Sequence, residues 1–151
     1  MTSDFIARAE VCVAAPPDRV WQALIDPAAM AEYMFGATVE STWKEGAPIT
    51  WTGEWQGKPY RDHGTVLKAM PPETLQYTHV SGSAAGSGQP EQAHTVTITL
   101  RPTPDGTEVR LTQDKNPTDE ARAHSESNWR QMLAALKGYV EARTSASAGG
   151  R

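Results

Sequence analysis

The chain has 151 residues, 38% hydrophobic and 21% charged. That is the length of one domain with its own core, and the balance excludes both a membrane-embedded chain and a highly charged disordered one. With 14 Lys and Arg against 18 Asp and Glu the net charge is −4, without the basic excess that phosphate-backbone binding needs, so nucleic acid is not an expected partner.

The single cysteine, Cys12, can form neither an internal disulfide nor a multi-thiolate zinc site, which makes the reducing cytoplasm the expected compartment. No apolar stretch approaches the roughly 20 residues of a membrane span. Residues Met1 to Arg8 lack the basic-then-apolar pattern of a secretion signal, so the mature chain is expected to begin near Met1.

Phe5, Ala7, Ala9, Val11 and Val13 alternate with Arg8, Glu10 and Cys12, a period of two that predicts a strand with one buried face. Pro16-Pro17 ends it, and Pro17 with Asp18 suits the first turn of a helix carrying Val20, Trp21, Leu24 and Ile25. Asp26-Pro27 breaks that helix and caps a second short one, with Met30, Tyr33 and Met34 on its apolar side.

From Thr38 to Gln113 the turns at Glu45-Gly46, Gln56-Gly-Lys-Pro59, Met70-Pro-Pro-Glu73 and Thr103-Pro-Asp-Gly106 predict successive antiparallel hairpins. Pairing across Gln56–Pro59 sets Trp55 opposite Tyr60, Gly53 opposite Asp62, Trp51 opposite Gly64 and Ile49 opposite Val66, all on one face. The same face continues through Leu75, Tyr77 and His79. Lys68 shares this inward parity, and burial of an unpaired charge is so costly that either Lys68 sits at the sheet rim or, the favoured reading, a bulge follows Val66 and turns Leu67 or Ala69 inward. In the last hairpin Val96, Ile98 and Leu100 face Val109 and Leu111, with His94 and Gln113 on the same side.

Asn116-Pro117 opens the longest helical pattern, with Asn116 as expected N-cap and Asp119 and Glu120 in the first turn. Trp129, Met132, Leu133, Leu136 and Val140 form its apolar stripe, which runs to about Arg143. Residues 1–143 are thus expected to form one domain, and the small, polar segment 144–151 a flexible tail. The Gly/Ser-rich stretch from Ser81 to Pro90 reads equally as a mobile lid or a tolerated insertion.

Val11-Cys-Val-Ala-Ala-Pro-Pro-Asp-Arg-Val-Trp-Gln-Ala-Leu-Ile-Asp-Pro27, Trp43-Lys-Glu-Gly46, Gly64-Thr-Val-Leu-Lys-Ala69, Leu75-Gln-Tyr-Thr78, Gly106-Thr-Glu-Val109 and Trp129 to Leu136 together resemble the SRPBCC superfamily (START, polyketide cyclase and birch-pollen-allergen-like proteins). Within it they are most similar to the branch of the activator of the ninety-kilodalton heat-shock-protein ATPase. The resemblance covers residues 5 to 143. It implies an α+β helix-grip fold, a curved antiparallel sheet wrapped around a long C-terminal helix, with two short helices after the first strand and a cavity between sheet and helix.

On that expectation Tyr33, Met34, Trp51, Trp55, Val66, Tyr77, His79, His94, Val96, Ile98, Leu111, Ser125, Trp129, Met132 and Leu133 border a cavity for a small apolar molecule, lipid-like or aromatic. The bland alternative for the aromatic face is core packing, the expected role of Trp21 and Leu24. Members of the superfamily also cyclise polyketides or assist a chaperone. The first activity would draw proton transfer from His79, His94 or Asp62. The second would use a protein-binding surface, although the longer activators carry an additional N-terminal domain for which this chain has no length.

His63, His79, His94 and His124 lack zinc-ligand spacing, and Gly-x-Ser-x-Gly, Gly-x-Gly-x-x-Gly and Walker A patterns are missing. Neither metal nor cofactor is therefore expected. Monomer and homodimer are both compatible with the sequence.

Overall fold

The computed structural model describes residues 5–149 apart from 35, 56, 81–93 and 117, with backbone alone at 55, 58 and 144–149. In chain order the elements are β1 (Phe5–Val13), α1 (Pro17–Ile25), α2 (Pro27–Tyr33), β2 (Thr38–Glu40), β3 (Pro48–Trp55), β4 (Lys58–Met70), β5 (Thr74–His79), β6 (His94–Thr103), β7 (Gly106–Asn116) and α3 (Asp119–Gly149). The strands form one curved, unclosed sheet in the order β1-β7-β6-β5-β4-β3-β2, every neighbouring pair antiparallel. Its concave face holds α3, so the helix-grip expectation holds.

Local chemistry starts the two short helices. Pro17 occupies the first turn of α1, where a missing N–H loses nothing, and the Asp26 carboxylate accepts from Ala28 N–H at 3.2 Å to cap α2. The core is the sum of the expected faces: Val96, Ile98, Leu100, Val109 and Leu111 from the last hairpin, Leu75 and Tyr77 from β5, and Met132, Leu133, Leu136 and Val140 from α3, all buried. Each large side chain so placed contributes roughly 1.5–3 kcal/mol of transfer free energy.

Three expectations are corrected. The β3–β4 turn is two residues rather than four: Trp55 pairs with Lys58, Gly53 with Tyr60, Trp51 with Asp62 and Ile49 with Gly64. Gly57, at φ +80°, supplies the left-handed backbone that so tight a turn requires. The slip is two residues, so every side chain keeps its predicted face.

Asn116 is the last residue of β7 and not a helix cap. Its amide donates to Phe5 O at 2.8 Å and Gln113 O at 3.1 Å, and its Oδ1 accepts from Ser125 Oγ at 3.0 Å. Thr118 caps α3 instead, accepting from Ala121 N–H at 3.0 Å, while Pro117 lies outside the described residues. Finally, α3 continues past Arg143 to Gly149. Of the two residues that a bulge could turn inward, Ala69 packs against the core and Leu67 stays exposed. The bulge itself is where Lys68 required it, between Val66 and Lys68.

The edge strand β1 is met by α3 side chains. Glu126 accepts from Arg8 N–H at 3.2 Å, Glu141 accepts from Ala14 N–H at 2.8 Å, and Lys137 Nζ donates to Cys12 O at 2.9 Å. Outward backbone groups of an edge strand are thereby satisfied by the helix that the sheet grips.

Candidate functional site

Between the β3–β5 half of the sheet, the end of α2 and the first half of α3 lies a cavity of about 270 Å³. Its sheet wall is Trp51 from β3, Tyr60 and Asp62 from β4, Tyr77 and His79 from β5 and Gln113 from β7. Met34 and Ala37 close one side, and Ser125, Asn128, Trp129 and Met132 of α3 form the opposite wall.

Strand alternation aims these residues. Trp51 and Asp62 are direct cross-strand partners, and the Trp51 ring lies 5.5 Å from Tyr77 and 5.0 Å from His79 between centroids, the latter nearly edge-on. Both separations fall in the range of favourable aromatic pairs. Tyr60 lies across Gly53, where an added Cβ would meet its hydroxyl at 2.7 Å. On the opposite wall the Trp129 indole N–H donates to Gln113 Oε1 at 2.9 Å, which fixes the indole and leaves the amide NH2 as what Gln113 offers a ligand.

The polar end of the cavity is the Asp62–His79 pair, with His79 Nε2–H donating to Asp62 Oδ2 at 3.0 Å. The other ring nitrogen, Nδ1, is buried without a partner. With Nε2–H as the donor to the carboxylate, Nδ1 is the ring's remaining acceptor. Burial pushes the Tyr77 phenol well above its ordinary range, and burial followed by the nearby Asp62 carboxylate raises that of Tyr60. Both phenols stay neutral donors at physiological pH. The arrangement can therefore hold an apolar body between rings and methionines, present a neutral donor and a carboxylate at one end, and accept a proton on the imidazole.

Of the residues expected to border a cavity, Met34, Trp51, Tyr77, His79, Ser125, Trp129 and Met132 do so. Tyr33, Val66, Val96, Ile98, Leu111 and Leu133 do not. They are buried core, in a sheet over which α1 meets β6 and β7 and α3 meets β1 and β7, away from the cavity against β3 to β5. His94 is the cross-strand neighbour of His79, but its Nδ1–H donates to Asp114 O at 2.8 Å and it does not reach the cavity. The Trp55 side chain and the Gly/Ser-rich stretch lie outside the described residues.

The sequence reading left Ala37, Tyr60, Gln113 and Asn128 out of the site. Tyr60 and Gln113 carried the inward parity that would have found them. Ala37 carried no signal. Among the described residues no group of three or more His, Cys, Asp or Glu could hold a metal ion, and no helix is long and apolar enough to cross a membrane.

No curated protein matches the chain in sequence. Among solved structures it is similar to ChR145 of Cytophaga hutchinsonii, with 46% identity over 93% of this chain and 97% of that one and a TM-score of 0.78. It is also similar to MLL2253 of Mesorhizobium loti, at 25% identity, 90% and 96% coverage and a TM-score of 0.75. DynU16, from the dynemicin biosynthetic locus, shares the fold at 22% identity and a TM-score of 0.75, this chain covering 48% of that one and 92% of itself aligning. The family model described as Activator of Hsp90 ATPase homolog 1-like protein matches residues 14–141, and the chain belongs to that family.

Proposed function

We propose that this protein is a non-catalytic binder of a small, largely apolar molecule held between the sheet and α3. The observation that carries the reading is the wall itself. Trp51, Tyr77, Trp129, Met34 and Met132 line an open cavity of about 270 Å³. A mostly apolar concavity with few, convergent polar groups is the common form of a small-molecule site.

Native mass spectrometry of the purified protein, before and after denaturing extraction, tests this. A co-purified mass, or saturable binding of an apolar fluorescent dye that Met132→Trp abolishes, supports it. An empty protein that ignores such dyes overturns it and moves the weight to a chaperone-binding surface, the role the family's name suggests.

A second reading is proton transfer within the same cavity, favoured by the 3.0 Å Asp62–His79 hydrogen bond. A carboxylate that fixes the tautomer and orientation of an imidazole makes it a competent general base. His79→Ala and Asp62→Asn would then abolish turnover of an enolisable substrate while leaving its binding intact. Equal turnover by the variants would remove this reading.

A further inference from the structure

Two donors on the cavity wall narrow the ligand class, an inference that rests on the binding role proposed above. Tyr77 pairs with Val96 across β5 and β6, and Val96 pairs with Gln113 across β6 and β7. Residues in one such row share a face. Strands lie about 4.8 Å apart, so the backbones of Tyr77 and Gln113 are about 10 Å from each other, with only the small Val96 side chain between them. Both residues line the cavity, yet they are only 3% and 7% exposed, the depth of core residues.

The chemistry that each offers is fixed by its surroundings. The Trp129 indole has a donor and no acceptor, so its 2.9 Å hydrogen bond ends on the carbonyl oxygen of the Gln113 amide and turns the NH2 to the other side. An amide NH2 only donates. Burial raises the Tyr77 phenol above its ordinary range, so its hydroxyl keeps its hydrogen at physiological pH. Among the described residues no protein acceptor receives a hydrogen bond from either group, and neither belongs to the polar atoms sealed inside the protein. Their open surface is therefore the cavity. A desolvated donor without a partner is unfavourable, and this wall carries two.

We infer that Tyr77 and Gln113 recognise a carbonyl oxygen, so that the ligand is a neutral ketone, ester or related carbonyl compound with an apolar body and not a plain hydrocarbon. A carbonyl oxygen has two lone pairs and no hydrogen, which suits it to donors. Trp51, Trp129, Met34 and Met132 receive the apolar parts. An analogue lacking the oxygen is rejected because it leaves both donors desolvated and unpaired.

Displacement of an apolar fluorescent dye by benzophenone and by diphenylmethane, which has a methylene in place of the carbonyl, decides the matter, with calorimetry as the check. The expected result is at least tenfold tighter binding of benzophenone to the wild type. Tyr77→Phe removes a hydroxyl that no described protein group uses and should weaken benzophenone about three- to tenfold, the worth of one neutral hydrogen bond, leaving diphenylmethane unchanged. Gln113→Glu keeps an oxygen for the Trp129 indole, exchanges the donor for a second acceptor and should weaken benzophenone at least as much. Equal or tighter binding of diphenylmethane to the wild type overturns the carbonyl preference and leaves the apolar binding role standing. A preference for benzophenone that survives both substitutions overturns the assignment to these two residues. Binding of neither compound overturns both readings. Should one variant fail to fold, the wild-type comparison and the other variant still decide.

Discussion

Gly64 of β4 lies so close to Thr78 of β5 that a Cβ on the glycine would fall 1.8 Å from the Thr78 carbonyl oxygen. The atom in the way is backbone, held by its own strand pairing, and the Trp51 ring stands at 3.3 Å on the same position. Neither can retreat cheaply. Gly64→Ala is therefore expected to lower stability by about 3 kcal/mol, the upper range for overpacking a well-filled site. It should also separate β4 from β5 next to His79. Urea unfolding monitored by tryptophan fluorescence measures the loss, and a change under about 1 kcal/mol would contradict the close approach.

Gly53 presents the opposite case. There the obstructing atoms belong to the Tyr60 ring, with its hydroxyl at 2.7 Å, and a half-buried side chain can rotate away. Gly53→Ala should cost stability less than about 1 kcal/mol, since β-strands tolerate the exchange on propensity grounds, yet displace Tyr60 from the cavity wall. The predicted signature is a several-fold fall in affinity for an apolar fluorescent dye with an almost unchanged unfolding midpoint. Loss of both together would mean that Gly53 matters to the fold and not to the wall.

Two buried tyrosines, Tyr33 and Tyr77, should resist alkaline titration. Burial, then the neighbouring Tyr77, Asp26 and Tyr139, raises Tyr33 well above its ordinary range, and burial raises Tyr77 in the same direction. A folded-state value above the unfolded one contributes stability that is full below about pH 10 and is lost as pH rises further. The phenolate absorbance of Tyr33 and Tyr77 should accordingly appear only as the protein unfolds. Ionisation of these two phenols in a still-folded protein would show them to be solvated.

How much of this was legible in the sequence depends on what kind of fact each residue encodes. Alternation in Val96-Thr-Ile-Thr-Leu100 names the buried face without further information, and an inward Lys68 is so unfavourable that it forecasts its own bulge, observed between Val66 and Lys68. Parity says nothing of depth along a strand. Val66 and Trp51 share a face, but only the latter borders the cavity, because the crossing of α3 decides where the sheet is covered. Asn116-Pro117 reads locally as a helix start, whereas the asparagine's hydrogen bonds run to Phe5 and Ser125, 111 and 9 residues away in sequence. Local patterns cannot contain such partners. The length of the β3–β4 turn turned on one positive-φ glycine, Gly57, and was invisible for the same reason that the paired faces were visible: a slip of two leaves every face unchanged.

Acid should weaken the contact between α3 and β1. The Glu126 carboxyl is held below the usual carboxylate range chiefly by Arg122, and Glu141 is held there by Lys137 and the Ala14 N–H. A folded-state value below the unfolded one contributes stability that is present above about pH 4.3 and is lost as pH falls through the lower, folded value. The double substitution Glu126→Gln with Glu141→Gln should lower stability at pH 7 by about 1 kcal/mol, small because both groups are partly solvated. It should also flatten the decline between pH 5 and pH 3. Unfolding midpoints across that interval check it, and parallel curves for variant and wild type would count against these carboxylates.

The same contact bears on how the molecule avoids its own kind. A sheet that does not close has two ends. One is β2, only three residues long, and short edges make poor templates for a further strand. The other is the nine-residue β1, whose Arg8 N–H and Cys12 C=O are already engaged by Glu126 and Lys137, with the Ala14 N–H just past its end held by Glu141. An incoming chain would find those positions taken. Where acid or substitution releases the two carboxylates, the Arg8 and Ala14 N–H groups are left without these acceptors, and an edge with unpaired backbone donors is a template for a further strand.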